Sequence, residues 1–308
     1  MTANTKRTIE TACIGPCSAL EYMSYICTDI FPVTPSGALT VGETDTSGSV
    51  GILSIGNLAD SGGYSSDIAH ALICDEAARL ALFETLLPIL ELRGLKGVNF
   101  CFQYLYPFDR AAYSDFISTA SQLLHRRGYL VFVSLPLRLE NTLFHSGHDG
   151  EYISRLCDRV LLISRGQGRR SLPPGPDTTV SEIRRALDTA VSLIPTGKIL
   201  LDLSVPACRW QLPWHMGDSG ELMTNERAVL TSRAVGAKPS RDRMTNLPFY
   251  TYTAPGGGRF AVWYDDAVSI GERLALVDEF ALAGICMSGT LCDSVMTGET
   301  AKRFKIEK

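Results

Sequence analysis

The amino-acid sequence predicts an α/β protein of the (β/α)8 TIM barrel class, in which eight parallel strands close into a barrel inside a layer of helices. Short apolar, β-branched runs alternate along the chain with longer helical stretches, which favours parallel pairing of the strands. Eight such runs fit into 308 residues, and eight strands in one chain of this size indicate a closed barrel. We therefore predict one domain over residues 1–308, with a small antiparallel hairpin insertion at about 248–264, before the last helix.

The predicted elements follow one another in the order that a barrel requires. The strands are Thr8–Ile14, Tyr22–Phe31, Gly51–Leu58, Val98–Tyr104, Tyr129–Leu135, Arg159–Ser164, Lys198–Val205 and Gly284–Ser288. Each helix begins near a Ser, Thr or Asp that can cap it, and most end near Gly or Pro. The helices are Asp67–Arg93, Asp109–Arg127, Thr179–Ile194, Thr224–Val235 and Asp266–Ala283.

Two segments depart from the regular alternation. Between the second and third strands only Val41–Ser49 is available, and its Gly, Ser, Thr and Asp content is typical of a loop. The barrel helix at this point is therefore predicted to be missing or reduced. Late in the chain, Phe249–Thr253 and Arg259–Tyr264 alternate in polarity around Pro255-Gly256-Gly257-Gly258. This pattern indicates a hairpin and not a barrel strand.

Composition excludes several classes of partner. The net charge is −4 and the isoelectric point is about 5.8, so nothing marks the whole chain as a nucleic-acid binder. The first residues, Met1–Arg7, are polar, and the apolar stretches after them are only strand-length. We therefore predict no signal peptide, no membrane span and synthesis in the cytoplasm.

The nine cysteines predict neither a disulfide framework nor a metal site. Most of them lie inside apolar runs, which is typical of buried thiols in a reducing compartment. Three motifs invite a metal interpretation: Cys13-x3-Cys17, Cys286-x5-Cys292 and His145-x2-His148-Asp149. None of these motifs has a neighbour in sequence that completes a four-ligand set, and the histidines are predicted to lie in a solvated loop. No metal and no other cofactor is predicted.

The fourth predicted strand carries the most informative motif. The stretch Lys96-Gly97-Val98-Asn99-Phe100-Cys101-Phe102-Gln103-Tyr104 resembles the glycoside hydrolase family 18 signature, Asp-x-x-(Asp or Asn)-x-Asp-x-Glu. It is most similar to the spore-cortex-lytic and spore-germination branch, peptidoglycan N-acetylglucosaminidases that read close to Asp-Gly-Val-Asn-Ile-Asp-Phe-Glu-Tyr. Further similar segments follow in the same order: Gly62–His70, Pro107–Phe116, Arg127–Val131, Val191–Pro195, Lys198–Leu200, Trp210–Pro213 and Trp263–Ala267.

The resemblance implies a degenerate catalytic motif. In the family the last Glu protonates the leaving oxygen, and the Asp two residues before it orients the substrate's acetamide, which is the nucleophile. These positions are Gln103 and Cys101 here, Lys96 replaces the first Asp, and Asn99 fits the pattern. An amide has no acidic proton to give, and loss of general acid catalysis costs roughly 10²–10⁴-fold in rate.

Other family positions also differ from the pattern. After the sixth strand, Arg165 stands where the resemblance implies a Tyr that holds the acetamide. The eighth strand ends at Ser288 and lacks the Trp that would form the floor beneath the sugar. After the seventh strand only Trp210 of the family's aromatic motif remains. Because Asn99, Cys101 and Gln103 alternate along one strand, they are predicted to share the barrel interior as mutually compatible neutral groups.

Two interpretations remain open at the barrel rim. The arginines after the sixth and seventh strands are Arg165, Arg169, Arg170 and Arg209. They form either a solvated basic loop or an anion site for a muramic acid carboxylate, a phosphate or an acidic protein surface.

The carboxylates that could replace the lost acid are Asp109, Glu140, Asp149, Asp202 and Asp293. Of these, Asp109 is interpreted as a helix N-cap, and Asp202 is placed within a strand, away from its carboxyl end.

The sequence thus favours a non-hydrolytic glycan-binding or structural protein, associated with the spore envelope if the branch resemblance holds. Its expected ligand is an N-acetylglucosamine-containing glycan, of peptidoglycan or chitin-like type, or an anion. The predicted ligand-binding residues are Asn57, Gln103, Tyr104, Arg165, Arg209 and Trp210. Two alternatives stay open: an active or weakly active N-acetylglucosaminidase, and a protein-interaction scaffold that uses the basic rim.

Overall fold

The computed structural model of the chain describes residues 6–308 except 18, 44, 47–48, 138–146, 165–168, 177 and 293. The strands are β1 (Thr8–Ile14), β2 (Tyr25–Pro32), β3 (Val50–Gly56), β4 (Gly97–Phe100), β5 (Leu130–Pro136), β6 (Arg159–Ile163), β7 (Ile199–Asp202), β8 (Ala207–Leu212), β9 (Glu221–Met223), β10 (Ser240–Arg241), β11 (Pro248–Thr253), β12 (Arg259–Trp263), β13 (Gly284–Ser288) and β14 (Lys305–Ile306). The helices are α1 (Ser66–Cys74), α2 (Glu76–Arg93), α3 (Arg110–His125), α4 (Gly150–Leu156), α5 (Val180–Leu193), α6 (Asn225–Ala234), α7 (Ala267–Glu279) and α8 (Ser294–Arg303).

Eight parallel strands close into a barrel. The strands β1 to β7 pair in chain order, β13 pairs with β7, and β13 also pairs with β1, so that the sheet returns to its first strand. The predicted (β/α)8 barrel is therefore confirmed, and β1 and β13 have the predicted bounds. The short β14 adds to the start of β1. None of the helices in the described part of the chain is long and apolar enough to cross a membrane.

Two apolar layers hold the barrel together. The strands pack outward against the helices in one large core. A second, smaller cluster fills the barrel interior and consists of Ala12, Ile14, Cys27, Ile52, Phe132, Leu161, Leu200 and Cys286. Because alternate residues of a strand face the same side, residues two positions beyond these interior ones continue the lumen towards the carboxyl end of the strands.

The helix predicted over Asp67–Arg93 is in fact two helices, α1 and α2. Asp75 separates them with an extended backbone, and its carboxylate accepts hydrogen bonds from the backbone N–H groups of Ala77 and Ala78. An Asp side chain competes with the helical backbone for such donors, which explains the break. The predicted end is confirmed, because Gly94 closes α2 in the left-handed region at a φ of 64°.

The second departure is the insertion. The predicted hairpin exists as β11 and β12, which pair antiparallel, but these strands are the middle of a five-stranded sheet in the order β10-β11-β12-β8-β9. The insertion therefore begins directly after β7 and is larger than the hairpin predicted at 248–264. The strands β9 and β10 have only three and two residues, which is too short for polarity alternation to reveal them; β8, with six residues, was also not predicted. The missing helix after β2 is confirmed, since the described residues between β2 and β3 contain none.

Candidate functional site

The carboxyl end of the barrel contains a row of neutral, buried polar side chains. Asn99 on β4 lies between Ser54 on β3 and Ser134 on β5. Its amide nitrogen donates to the Ser54 Oγ atom at 3.3 Å, and its amide oxygen accepts from the Ser134 hydroxyl at 3.0 Å. All three side chains are fully buried. The predicted interior position of Asn99 thus belongs to a self-satisfied hydrogen-bond row that needs no charged group.

Gln103 lies just beyond β4 and is held on both sides. Its backbone N–H donates to the Asn57 Oδ1 atom at 2.9 Å, and its own carbonyl accepts from the Asn57 Nδ2 atom at 2.8 Å. Its side-chain Nε2 donates to the Ser134 carbonyl at 3.1 Å. Only 7% of Gln103 is exposed. The structure therefore brings together two of the predicted ligand-binding residues, Asn57 and Gln103, as one rigid amide cluster.

Cys101 and two tyrosines adjoin this cluster. The Cys101 Sγ atom lies 3.4 Å from the Tyr64 hydroxyl, and the rings of Tyr64 and Tyr104 are 6.3 Å apart. Tyr104 has a positive φ of 54° and is half-buried; burial raises the pKa of its phenol. Sequence reasoning did not select Tyr64 as a site residue. The sequence feature that could have identified Tyr64 is the Gly62-Gly63 turn before it. This turn reverses the chain, so that Tyr64 pairs with Leu58, just beyond the carboxyl end of β3.

Two positions that the resemblance assigns to the family's site lie at opposite ends of the barrel. Lys96 is exposed and precedes β4, so it lies at the amino end of the strand, away from Gln103. Ser288 ends β13, and its backbone N–H donates to the Ser204 Oγ atom at 2.6 Å, which places it at the carboxyl end. Only Ser288 therefore shares the end of the barrel at which Gln103 lies.

The structure describes only part of the arginine group at the barrel rim. Arg165 lies outside the described residues. Arg209 lies on β8 in the antiparallel sheet, forms an ion pair with Glu221 and stacks its guanidinium over Phe260 at 4.9 Å. Its guanidinium is thus paired with an acidic side chain of the same chain, which already occupies the place of an anionic ligand.

Trp210 is also placed differently from its predicted role. It belongs to β8, is 1% exposed, and its indole N–H donates to the Arg170 carbonyl at 3.2 Å. A side chain enclosed in this way supports the insertion and offers no surface for sugar stacking. The prediction failed because the tryptophan follows β7 in sequence but joins the second sheet.

The candidate replacement carboxylates have identifiable places. Asp202 is the last residue of β7, so the expectation that it lies away from the strand's carboxyl end is wrong. It is buried, and its Oδ1 atom accepts from the Ser204 backbone N–H at 3.0 Å. Asp149 caps α4 and binds Arg110 at 2.9 Å. Glu140 and Asp293 lie outside the described residues.

Asp109 has a different role from the predicted one. It precedes α3 but makes no side-chain capping bond. Instead its Oδ1 atom lies 2.8 Å from the His70 Nδ1 atom. Sequence reasoning missed this pair because the two residues are 39 positions apart and only the barrel brings their helices together.

The fold groups the cysteines and histidines of the suggested metal motifs differently from their spacing in the sequence. His148 is buried with its Nε2 atom 2.9 Å from the Phe102 carbonyl, so the prediction that it lies in a solvated loop is wrong; His145 lies outside the described residues. The Cys17 and Cys292 thiols, one from each cysteine pair, are 3.6 Å apart. All nine cysteines are among the described residues, and none forms a disulfide; seven are buried, which confirms the predicted burial of most of them.

These observations define the class of protein. It is a TIM barrel whose candidate site lies at the carboxyl end of the strands, where barrel proteins place their ligands. The side chains collected around Gln103 are amides, hydroxyls, a thiol and phenols. Such groups donate and accept hydrogen bonds and offer aromatic faces, which suits a neutral polar ligand.

The comparisons with known proteins narrow this class. No family model matches the chain. The chain is 25% identical over 278 residues to the cortical fragment-lytic enzyme of Bacillus subtilis (strain 168), an alignment that covers 87% of this chain and 64% of that relative. The chain thus spans less than two thirds of the length of this curated relative.

Solved structures share the fold along nearly the whole chain. The spore cortex-lytic enzyme SleL of Bacillus megaterium QM B1551 matches with a TM-score of 0.91 at 21% identity, covering 99% of this chain and 76% of that one. A glycoside hydrolase family 18 N-acetylglucosaminidase of Paenibacillus barengoltzii matches with a TM-score of 0.76 at 18% identity, covering 96% and 100%. The resemblance to the spore-cortex-lytic branch of family 18 is confirmed.

Proposed function

We propose that this chain binds an N-acetylglucosamine-containing glycan at the carboxyl end of the barrel and does not hydrolyse it. The observation that carries the proposal is the fixed amide of Gln103. It stands where the family resemblance places the general acid, and Asn57 and Ser134 hold it in one orientation. An amide in this position can donate to or accept from a sugar oxygen but cannot protonate it.

The surroundings of Gln103 support the same proposal. A catalytic carboxylic acid needs neighbours that tune its pKa towards the working pH. Here the flanking interior groups are Asn99 and Cys101, which are neutral and buried. The Tyr64 hydroxyl lies close to the Cys101 Sγ atom, and the Tyr64 ring lies 6.3 Å from that of Tyr104. The two tyrosines supply faces and hydroxyls for a sugar ring and its acetamide.

The names of similar proteins support a class of glycan and a cellular location, and both are part of the proposal. One relative is named a cortical fragment-lytic enzyme, and a solved structure of the same fold is named a spore cortex-lytic enzyme. We infer that the ligand is a peptidoglycan fragment and that the protein, synthesised in the cytoplasm, is associated with the spore envelope.

Calorimetric titration with peptidoglycan fragments and with chitin oligosaccharides, combined with an assay for released reducing ends, tests this function. We expect binding without product. Tyr104→Ala should weaken binding about tenfold, the effect of losing one aromatic contact worth about 1.4 kcal/mol. Tyr152, exposed on α4, provides the control, and Tyr152→Ala should bind normally. Clear product release by the wild-type chain would contradict the non-hydrolytic proposal.

A second candidate function, weak hydrolysis, is favoured by Asp202. This carboxylate ends β7 two residues beyond Leu200, which lies in the barrel interior, so its side chain is directed into the lumen at the carboxyl end. If the wild-type chain releases product and Asp202→Asn abolishes that release while glycan binding persists, the chain is a hydrolase with a relocated carboxylate. Absence of product from both leaves the binding function as proposed.

A further inference from the structure

We propose that His70, Cys74 and Asp109 form a binding site for a divalent transition-metal ion, of which Zn²⁺ fits best. His70 and Cys74 lie on α1, and Asp109 immediately precedes α3. One ligand atom from each residue lies within 4.8 Å of the other two. None of the three is among the residues proposed to contact the glycan, so this site is additional to the proposed function.

The distances between the three ligand atoms suit a tetrahedral metal ion. The Cys74 Sγ atom lies 3.6 Å from the His70 Nδ1 atom and 3.8 Å from the Asp109 Oδ1 atom. Zinc bonds of 2.0–2.3 Å place neighbouring ligands roughly 3.3–3.7 Å apart in a tetrahedron. The His70–Asp109 distance of 2.8 Å therefore has to open by about 0.5 Å, a small movement for an exposed histidine. Spacing by four residues puts His70 and Cys74 on one face of α1.

The carboxylate of Asp109 supplies an independent indication of a cation. Only 2% of this side chain is exposed. Its Oδ1 atom accepts from His70, but its Oδ2 atom is buried and has no hydrogen-bond partner among the described residues. A buried carboxylate oxygen without a donor is costly in free energy. A dication at the cluster compensates this charge, whereas the single hydrogen bond from His70 reaches only one of the two oxygens.

The ligand types select the metal. Imidazole, thiolate and carboxylate together are typical zinc ligands, whereas Mg²⁺ and Ca²⁺ prefer oxygen. His70 and Cys74 are exposed, so the fourth position faces water. Without the metal, partial burial and the Asp109 charge raise the pKa of the Cys74 thiol. Binding then releases the thiol proton to solvent and moves the Nδ1 hydrogen of His70 to Nε2.

A metal ion here would join the two segments that follow β3 and β4. These segments already touch, because the Ser66 hydroxyl on α1 donates to the Tyr104 carbonyl and the Tyr106 hydroxyl donates to Asp67 at 2.7 Å. An ion bound only by the folded chain adds to its stability by mass action. The expected role is therefore structural support of the segments that carry Asn57 and Gln103.

Titration of the chelator-treated, reduced protein with Co²⁺ tests the site. We expect one equivalent to produce a thiolate-to-cobalt charge-transfer band, and Zn²⁺ to abolish it by displacement. The band should disappear in Cys74→Ala and in His70→Ala. His125→Ala is the matched control, because His125 forms a similar surface pair with Asp158 at 3.0 Å and has no third candidate ligand beside it in the described part of the chain.

Thermal unfolding with and without Zn²⁺ provides the second measurement. We expect Zn²⁺ to raise the melting temperature of the wild type and of His125→Ala, and to leave that of Cys74→Ala unchanged. Absence of the charge-transfer band in the wild type, or its persistence in Cys74→Ala, would overturn the proposal. Persistence would assign the band to other thiols, such as Cys17 and Cys292. If His70→Ala does not fold, Cys74→Ala alone decides.

Discussion

Asn57 and Gln103 are joined by a pair of reciprocal hydrogen bonds, 2.9 and 2.8 Å long, in which one side-chain amide satisfies both the N–H and the C=O of the other residue's backbone. The Asn57 side chain therefore takes over from the backbone pairing of β3 and β4, which extends to the hydrogen bond from the Cys101 N–H to the Ile55 carbonyl at 2.8 Å. The direction of the Gln103 side chain, and with it the shape of the proposed glycan site, depends on a residue 46 positions earlier in the chain.

Asn57→Ala should lower both stability and glycan binding. The substitution leaves the backbone N–H and C=O of Gln103 without their partner, and each buried orphan group costs about 1–3 kcal/mol. Urea unfolding measures the stability, and calorimetric titration measures the binding. Gln122→Ala, on the exposed face of α3, is the control and should change neither. Normal binding by Asn57→Ala would show that Gln103 does not need this support.

Gln103→Glu should not create a hydrolase. The new carboxyl would still lack the carboxylate that the family has at position 101, and catalytic groups that act together are strongly non-additive. The variant should also become less stable than the wild type as pH rises from about 4 to 7. Burial beside the Ser134 carbonyl raises the folded-state pKa of the new group, so its ionisation favours the unfolded chain. Reducing-end release and urea unfolding at both pH values check these outcomes; hydrolysis by the single variant would contradict the first.

The buried ion pair between Arg273 and Asp265 should be a major support of the fold. Arg273 is fully buried, lies 3.2 Å from the Asp265 carboxylate and also donates to the Thr178 carbonyl. Arg273→Ala leaves a buried charge without its partner, which costs about 3–5 kcal/mol. The exposed pair of Arg184 and Glu279 is the comparison, and Arg184→Ala should cost about 0–1 kcal/mol. Equal losses in the free energy of unfolding would contradict this account.

Tyr25 should make stability decline at high pH. Burial, followed by the charge of Glu10, raises the pKa of its phenol from 10.0 to about 12. The unfolded chain therefore ionises first, and the free energy of unfolding falls as pH rises from 10 towards 12. Subtracting the values for Tyr25→Phe isolates this contribution. The free energy of unfolding of the wild type, relative to that of the variant, should fall across this range. A constant difference would show that folding does not raise the pKa of the Tyr25 phenol.

The sequence by itself determined the barrel. Apolar runs and capping residues are read over a few neighbouring positions, and they located β1, β13 and the ends of most helices. The ordered motifs around Asn99 and Gln103 identified the family resemblance and the neutral interior, because strand alternation assigns a side to each residue. Other local signals were missed: Asp75 can either continue a helix or cap the next one, and the short helices α4 and α8 were not predicted.

Only the tertiary structure decided which residues are neighbours in space. The five-stranded sheet takes up Arg209 and Trp210, because β8 pairs with β9 and β12 and not with a barrel strand. His70 meets Asp109 only because β3 and β4 are neighbours and place α1 beside the start of α3. Such pairings depend on barrel closure, which is a property of the whole chain. Local patterns predict that the barrel closes, but they do not identify which side chains its closure brings together.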